Sequence, residues 1–96
     1  MTPRLHILNK APDHPRYQRC IEALEAGDLL VLMESGVLAL ITETSVESVP
    51  DDVKVYAISD DMAAYSQCPA PESRAGMIDY SEFVELICRI GSPVSW

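Results

Sequence analysis

The stretch that decides the fold covers residues 27–37, Gly27-Asp-Leu-Leu-Val-Leu-Met-Glu-Ser-Gly-Val37. Five consecutive apolar residues, at 29–33, show no polar alternation, whereas a half-exposed strand alternates. A short apolar run between turn residues is typical of a strand buried on both faces, and such strands are mostly the central strands of parallel sheets. The stretch therefore predicts a central strand. Glu34, Ser35 and Gly36 then form the turn at its carboxyl end, where α/β folds usually bind ligands.

Composition indicates a small domain with more apolar material than its core can hold. The 96 residues predict a single domain over residues 1–96, with 48% hydrophobic residues and a mean hydropathy of +0.06. A domain of this size buries only about two-thirds of the surface of its unfolded chain. Part of the apolar material is therefore expected at the surface, where it is available for contact with a partner.

The net charge and the lack of targeting segments argue against nucleic-acid-binding, secreted and membrane proteins. The formal net charge is −8, from 15 acidic residues against 7 Lys and Arg. This argues against direct binding to nucleic acid, because such binding needs clustered basic residues. The first residues lack the apolar core of a signal peptide, and no run approaches the length of a membrane span. We therefore expect a cytoplasmic protein without direct nucleic-acid or membrane contact.

Apolar spacing along the chain predicts alternating strands and helices. Strands are expected at residues 5–8, 29–33, 53–58 and 77–78, and helices at residues 15–24, 59–65 and 80–90. The run at 37–41 fits a strand or a short buried helix, since five residues do not define a period. Residues 92–96 are expected to form a tail in which Trp96 packs on the core or on a partner. The alternation predicts an α/β fold, a small three-layer parallel sheet with helices on both faces.

Capping residues predict where three of these helices begin or end. Gly27 stands where the C-cap glycine of the first helix is expected. Residues 59–61, Ser-Asp-Asp, are suited to satisfy the free N–H groups at the start of the second helix. Asp79, followed by Glu82 three residues later, predicts a capping box at the start of the last helix.

No complete catalytic or metal-binding motif is present in the sequence. Phosphate-binding glycine patterns and the nucleophile-elbow motif are absent. His6 lies within the first strand and His14 in a loop, and neither has a sequence partner that indicates catalysis or metal binding. The acidic pairs at 51–52 and 60–61 match no cation-binding loop, so we interpret them as caps and solvated turns.

The three cysteines lie far apart and form neither a Cys-x-x-Cys pair nor a zinc spacing, so free thiols are expected. Cys20 is either a small core residue of the first helix or a nucleophilic thiol whose thiolate Arg16 and Arg19 help to stabilise. Cys68 is expected to be exposed in a loop with acidic surroundings. Cys88 is expected to pack in the last helix.

Several segments together resemble the TusB/DsrH family of sulfur-relay proteins, and the resemblance covers nearly the whole chain. No single segment is specific, but their order and spacing are. They are residues 5–12 (Leu-His-Ile-Leu-Asn-Lys-Ala-Pro), 27–32 (Gly-Asp-Leu-Leu-Val-Leu), 35–37 (Ser-Gly-Val), 53–57 (Val-Lys-Val-Tyr-Ala), 78–84 (Ile-Asp-Tyr-Ser-Glu-Phe-Val) and Trp96.

The resemblance implies a DsrE-like α/β fold with flavodoxin-like layering, and a short helix over residues 37–41. It also implies a heterohexamer with TusC-like and TusD-like subunits, in which sulfur travels as a cysteine persulfide from a TusA-like donor to a TusE-like acceptor. The product is the 2-thio group of wobble uridine in tRNA. In the alternative DsrEFH branch, a DsrH-type subunit works with DsrE-like and DsrF-like subunits in sulfur oxidation.

The resemblance also assigns site residues. The relay cysteine of TusD-like subunits corresponds to about Ile58, so this chain is expected to be a subunit without the main nucleophile and without a cofactor. Cys20 falls where many members have a cysteine, which makes it a candidate accessory sulfur-relay thiol. The family pattern Asp-x-x-Ala-Arg-Gly is replaced at residues 61–66 by Asp-Met-Ala-Ala-Tyr-Ser, so that Tyr65 and Ser66 stand for Arg and Gly.

A third hypothesis belongs to another class of protein, a small-ligand-binding α/β domain that uses a crevice at Glu34, Ser35 and Gly36. The absence of a phosphate-binding glycine pattern argues against it.

Overall fold

The computed structural model describes residues 3–41, 48–65, 75–91 and 93–96. Within them the strands are β1 (Leu5–Leu8), β2 (Leu29–Leu32), β3 (Lys54–Ile58), β4 (Gly76–Ile78) and β5 (Val94–Ser95). The helices are α1 (Pro15–Ala23), a 3₁₀ helix (Glu34–Leu40), α2 (Ser59–Ala64) and α3 (Tyr80–Ile90). The strands form one all-parallel sheet in the order β4-β3-β2-β1-β5. The predicted α/β fold is confirmed.

The strand order determines which helix covers which face. From β1 to β4 each strand is added on the same side of its predecessor, so right-handed crossovers place α1, the 3₁₀ helix and α2 on one face. The chain then returns past three strands to β5, which places α3 on the opposite face. Two separate apolar clusters agree with this arrangement. Helices therefore cover both faces, as predicted.

Strand β2 contributes to both apolar clusters. Leu30 and Leu32 belong to the α1-side core, which also contains Tyr17, Cys20, Ile21, Val37, Ala39, Val55, Ala57 and Met62. Leu29 and Val31 belong to the α3-side core, which also contains Leu5, Ile58, Ile78, Phe83 and Leu86. All four residues of β2 are buried. The prediction of a central strand covered on both faces is confirmed.

The segment after β2 is a 3₁₀ helix, so the run at 37–41 is helical and not a strand. The helix begins earlier than expected, because Glu34, Ser35 and Gly36 form its first turn and not a free loop. A Cβ atom on Gly36 would lie 2.1 Å from the main-chain oxygen of Leu8. The glycine therefore allows the helix to pack directly on the carboxyl end of β1.

The prediction that the last residues form a tail is wrong. Val94 and Ser95 form β5, which pairs with His6 and Ile7 of β1. A strand of two residues has no periodicity that a sequence pattern could detect. Trp96 is partly buried and packs against the α1-side core, as one of its two predicted alternatives required.

Of the three capping predictions, the one for Gly27 is wrong, and the one for residues 59–61 is confirmed for the helix start and its acidic first turn but not for a side-chain cap. Helix α1 ends at Ala23 with Leu24 as its cap, while Gly27 lies further on, in a turn with φ of +87°. Helix α2 begins as predicted at Ser59, but its N-cap position, Ile58, provides no side-chain hydrogen bond. The carboxylate of Asp61 is engaged elsewhere, as described below.

The third capping prediction is confirmed. Asp79 Oδ1 accepts a hydrogen bond from Glu82 N at 2.8 Å, and Asp79 N donates one to Glu82 Oε1 at 3.2 Å. His14 supplies a cap that the sequence did not predict, because its Nδ1 accepts a hydrogen bond from Arg16 N at 3.0 Å. The two residues therefore define where α3 and α1 begin.

Replacing Gly36 by Ala is expected to destabilise the protein by about 1–3 kcal/mol, because the new methyl group meets rigid main chain. Gly76→Ala is the matched control, since its Cβ would lie 3.4 Å from the Tyr56 side chain, an ordinary contact. Urea unfolding monitored by circular dichroism measures both. If the two variants are equally stable, the 3₁₀ helix does not pack directly on the main chain of β1 at Gly36.

Candidate functional site at the carboxyl ends of β3 and β4

The helices that follow two neighbouring strands, β3 and β4, lie on opposite faces of the sheet. After β3 the chain continues into α2 on one face of the sheet, and after β4 it continues into α3 on the other. Such a point in an open α/β sheet is a topological switch point, and ligands typically bind in the crevice outside it. The candidate site is therefore at Ile58 and Ile78, the last residues of the two strands.

Asp61 connects three elements around this crevice. Its Oδ2 accepts a hydrogen bond from Glu34 N of the 3₁₀ helix at 2.7 Å, and its Oδ1 accepts one from the Tyr80 hydroxyl of α3 at 2.9 Å. Glu34 has a φ of +50°, which is uncommon for a residue with a side chain. The sequence indicated a helix cap for Asp61, but the structure places it as a link between helices.

Tyr65 makes a second contact at this end of the sheet. Its hydroxyl lies 3.3 Å from Ser35 Oγ of the 3₁₀ helix. Tyr65 stands where the resemblance implies Arg, so this chain has an aromatic side chain in place of a positive charge directly after α2. Ser66, the other departing residue, lies outside the described residues.

Among the residues that the structure describes, the crevice is acidic and has no thiol. A hydrogen bond to Asp61 raises the pKa of Tyr80, with a smaller effect of burial and further contributions from the negative charges of Asp61, Asp60 and Glu34. Ile58, at the predicted position of the relay cysteine, is an aliphatic residue with no exposed surface. A thiolate here would face carboxylates, which disfavour it. The arrangement suits cationic groups better than an anionic sulfur.

Cys20 is in the α1-side core, with no exposed surface. Burial raises the pKa of its thiol to about 12, which opposes formation of the thiolate that a sulfur carrier requires. Arg16 and Arg19 are both exposed and do not offset this effect. The environment matches the packing alternative for Cys20, while its role as an accessory relay thiol stays a prediction.

The other two cysteines differ from Cys20. Cys88 is exposed, so the prediction that it packs is wrong. Helix α3 buries Phe83 and Leu86, and Cys88 lies away from both on the outer side of the helix. Cys68 lies outside the described residues.

A buried polar network that the sequence did not predict joins the two ends of the described chain. The Trp96 indole Nε1–H donates to His6 Nδ1 at 3.2 Å, so His6 Nε2 carries the proton that it shares with Asp28 Oδ2 at 2.9 Å. Asp28 also accepts hydrogen bonds from the main-chain N–H groups of Arg4 and Glu25, each at 3.0 Å. His6 and Asp28 are buried and lack a nearby nucleophile among the described residues, so we interpret the network as architectural.

The network determines the ionisation of Asp28. Burial alone would raise the pKa of Asp28, but the hydrogen bonds from Arg4, Glu25 and His6, together with the interaction with His6, lower it overall. An acidic residue directly before a doubly buried strand, and a histidine within the neighbouring strand, both need partners once buried. The need of two buried polar residues for partners was the sequence signal from which the pairing of His6 with Asp28 could have been predicted.

The remaining candidate residues form no site in the part of the chain that the structure describes. Asp51 and Asp52 lie exposed in a turn, as expected, and Asp52 O accepts a hydrogen bond from Gly27 N at 3.2 Å. In residues 3–41, 48–65, 75–91 and 93–96, His, Cys, Asp and Glu form no cluster of three or more suited to a metal ion. Over the same ranges, no helix has both the length and the apolarity needed to cross a membrane.

Comparison with known proteins identifies the family. A family model described as "DsrH like protein" matches residues 10–92. The chain belongs to the DsrH-like family. This confirms the resemblance drawn from the sequence, and it supports a role as a sulfur-relay subunit in general.

A solved structure is similar to this DsrH-like chain over most of its length. Protein Tm0979 from Thermotoga maritima, determined by solution NMR, is 32% identical and superposes with a TM-score of 0.64. The match covers 88% of this chain and 92% of Tm0979. No curated protein matches the sequence.

Replacing Asp28 by Asn is expected to destabilise the protein by about 1–3 kcal/mol at pH 7, because buried donors lose a charged acceptor. A carboxylate with a lowered folded-state pKa stabilises the fold above its unfolded pKa of about 3.9, and this stabilisation is lost as the pH falls through the folded pKa. Stability measured by urea unfolding should therefore fall less steeply below pH 4 in Asp28→Asn than in the wild type. Asp51→Asn, at an exposed turn, is the control. An unchanged acid profile in Asp28→Asn would contradict the assigned network.

Thiol alkylation is expected to separate Cys20 from Cys88. In the native protein at pH 8, iodoacetamide should modify the exposed Cys88 readily and Cys20 only after denaturation, because Cys20 is buried with a pKa of about 12. Peptide mass spectrometry over a time course measures each site. Native modification of Cys20 at the rate of Cys88 would show that α1 opens to expose it.

Proposed function

We propose that this chain is a non-catalytic subunit of a cytoplasmic sulfur-relay complex resembling TusBCD, which supports persulfide transfer for 2-thiolation of tRNA wobble uridine. The observation that supports this most directly is the carboxyl end of β3. The resemblance places the relay cysteine at about Ile58, and Asp60 and Asp61 follow this residue. The subunit would therefore contribute structure and contacts while a partner carries the sulfur.

A persulfide needs stabilising groups of positive charge nearby. A sulfur carrier acts as a thiolate or perthiolate anion, which basic residues or free N–H groups stabilise. At this crevice, one N–H group that could serve, that of Glu34, is already bonded to the Asp61 carboxylate. The site is therefore unsuited to hold sulfur even if a thiol were introduced at residue 58.

The partners follow from the same proposal. TusC-like and TusD-like subunits would complete a heterohexamer, with a TusA-like protein as donor and a TusE-like protein as acceptor. A DsrEFH complex in sulfur oxidation, with DsrE-like and DsrF-like partners, is the alternative for the same chain. Cys20 would act there as the accessory thiol only if α1 moved away from the sheet, because the thiol is enclosed by the core.

Co-expression with TusC-like and TusD-like subunits from the same organism is expected to yield a stable complex, measured by size-exclusion chromatography with light scattering. Cys20→Ala should assemble equally well and should support sulfur transfer to the acceptor at the wild-type rate, because Cys20 has a packing role in this proposal. Transfer is measured by persulfide labelling followed by mass spectrometry.

The control is substitution of the relay cysteine in the TusD-like subunit, which should abolish transfer without preventing assembly. A wild-type chain that remains monomeric with both subunits would overturn the proposal. Loss of transfer in an assembled Cys20→Ala complex would instead make Cys20 a relay thiol. In a strain lacking the gene, loss of 2-thiouridine would favour the tRNA pathway over sulfur oxidation.

A further inference from the structure

Residues 94–96 lie along the outer edge of β1 as a short segment, which we call the strap. The main-chain N–H of Trp96 donates to Ile7 O at 2.9 Å, next to the pairing of β5 with β1. Lys10 Nζ donates to the main-chain oxygen of Trp96 at 3.0 Å. A strand of two residues makes few main-chain hydrogen bonds, so side-chain contacts contribute much of the stability of the strap on β1.

One side-chain hydrogen bond fixes the strap on β1, the bond from Trp96 Nε1–H to His6 Nδ1 at 3.2 Å. The planes of the two rings are 18° apart and their centroids are 6.2 Å apart. Rings joined through these nitrogens at that separation lie edge to edge and not face to face. The indole face is therefore not placed to stabilise a charged imidazole by a cation–π contact. The hydrogen bond requires a free lone pair on His6 Nδ1.

His6 Nδ1 accepts this bond only while the imidazole is neutral. Its Nε2 carries the proton shared with Asp28 Oδ2 at 2.9 Å, so a second proton has to bind at Nδ1. Nδ1 would then be a donor that faces the indole donor, and the hydrogen bond to Trp96 would be lost. The contact with Asp28 would become a charge-assisted one and would persist. Protonation therefore weakens the attachment of the strap but not the link between β1 and β2.

His6 lies on the face of the sheet that α1 covers, because its neighbours Leu5 and Ile7 belong to or pack against the α3-side core. From α1, Tyr17 and Cys20 are buried in the core on this face. Burial raises the pKa of each of them to about 12, so both are neutral. The other residues of the α1-side core are apolar. This core therefore contributes no second group that changes its charge near neutral pH.

The charged group that contacts His6, the carboxylate of Asp28, keeps its charge in mild acid. Burial opposes ionisation, but hydrogen bonds from Arg4, Glu25 and His6 lower the pKa of Asp28 overall. Arg4 and Glu25 contact Asp28 through main-chain N–H groups, and their own side chains are exposed. Lys10, in the loop after β1, adds a positive charge beside the strap. Protonation of His6 is therefore the change by which mild acid acts on the strap.

We propose that His6 and Trp96 form a pH-sensitive latch, in which neutral His6 holds the strap on β1 and protonated His6 releases it. Histidine is the side chain that changes its charge between about pH 8 and pH 5. Nδ1 binds a proton more readily once the indole has left, so by linkage acid favours the released strap. Release removes from the outer edge of β1 the main-chain partners that β5 provides. The latch is a property of this chain alone and does not depend on the proposed function.

Hydrogen exchange followed by NMR measures release of the strap. Between about pH 7.5 and pH 5, the range in which histidine titrates, the protection factor of the Trp96 main-chain N–H should fall about fivefold relative to those of β2, because one hydrogen bond is lost. The His6 ring resonances and the Trp96 indole N–H resonance should shift with the same midpoint. A protection ratio that does not change with pH, or two different midpoints, would overturn the latch.

Substitution of His6 by Asn separates the latch from other effects of acid. The Asn side-chain oxygen accepts from the indole in place of Nδ1 but does not titrate, so the protection ratio should be independent of pH in His6→Asn. His14→Asn is the matched control, because it replaces the other histidine of the sequence at an exposed N-cap that Asn also satisfies. It should keep the wild-type pH dependence.

Persistence of the pH dependence in His6→Asn, or its loss in His14→Asn, would overturn the role of His6. If His6→Asn does not fold, the two midpoints in the wild type decide, since a shared midpoint supports the latch and separate midpoints exclude it.

Discussion

The constraint on which the structure depends is the burial of β2 on both faces. Leu29 and Val31 belong to one core, and Leu30 and Leu32 belong to the other, so the sheet must be covered twice by a chain of 96 residues. Short elements meet this requirement by packing closely. Gly36 brings the 3₁₀ helix onto the main chain of β1, and Asp28 joins the start of β2 to β1 through His6. Trp96 and β5 then cover the outer side of β1.

The order in which the strands are added to the sheet also determines where a functional site can lie. The first three crossovers add strands in one direction, so the helices after neighbouring strands lie on opposite faces only at β3 and β4. The carboxyl end of β2 is occupied by the 3₁₀ helix. The sequence indicated a ligand crevice at Glu34, Ser35 and Gly36. In the structure Glu34 contacts Asp61 and Ser35 contacts Tyr65, while Gly36 packs on the main chain of Leu8. The switch point is at Ile58, a buried residue that Asp60 and Asp61 follow, and no thiol lies there among the described residues.

Much of the fold could be predicted from residue patterns, because apolar runs and capping residues act locally. The doubly buried β2, the alternation of elements and the Asp79–Glu82 capping box all have signals within a few residues. The features that were missed depend on contacts distant in sequence. A two-residue strand beside β1 has no period, and the engagement of Asp61 by Glu34 and Tyr80 depends on how three helices meet. His6, Asp28 and Trp96 are likewise brought together only by strand order.

The candidate site was predicted in part. The resemblance placed the missing nucleophile at Ile58, and the structure places that residue at the switch point with acidic neighbours. The exposure of Cys88 could not be predicted from spacing, because helix α3 turns only one part of a broad apolar surface toward the sheet. The burial of Cys20 agrees with one of its two predicted alternatives. Apolar residues left outside, such as Val84, agree with the excess of apolar material in the composition.

The central claim is that this chain assembles with a sulfur carrier but does not itself carry sulfur. It is tested most directly by loading the assembled complex with sulfur from a cysteine desulfurase and its TusA-like donor, and then measuring the intact mass of each subunit under non-reducing conditions. The account predicts that a partner subunit gains the mass of one sulfur atom while this chain keeps its unmodified mass. A gain of one sulfur atom on this chain, lost on reduction, would contradict it.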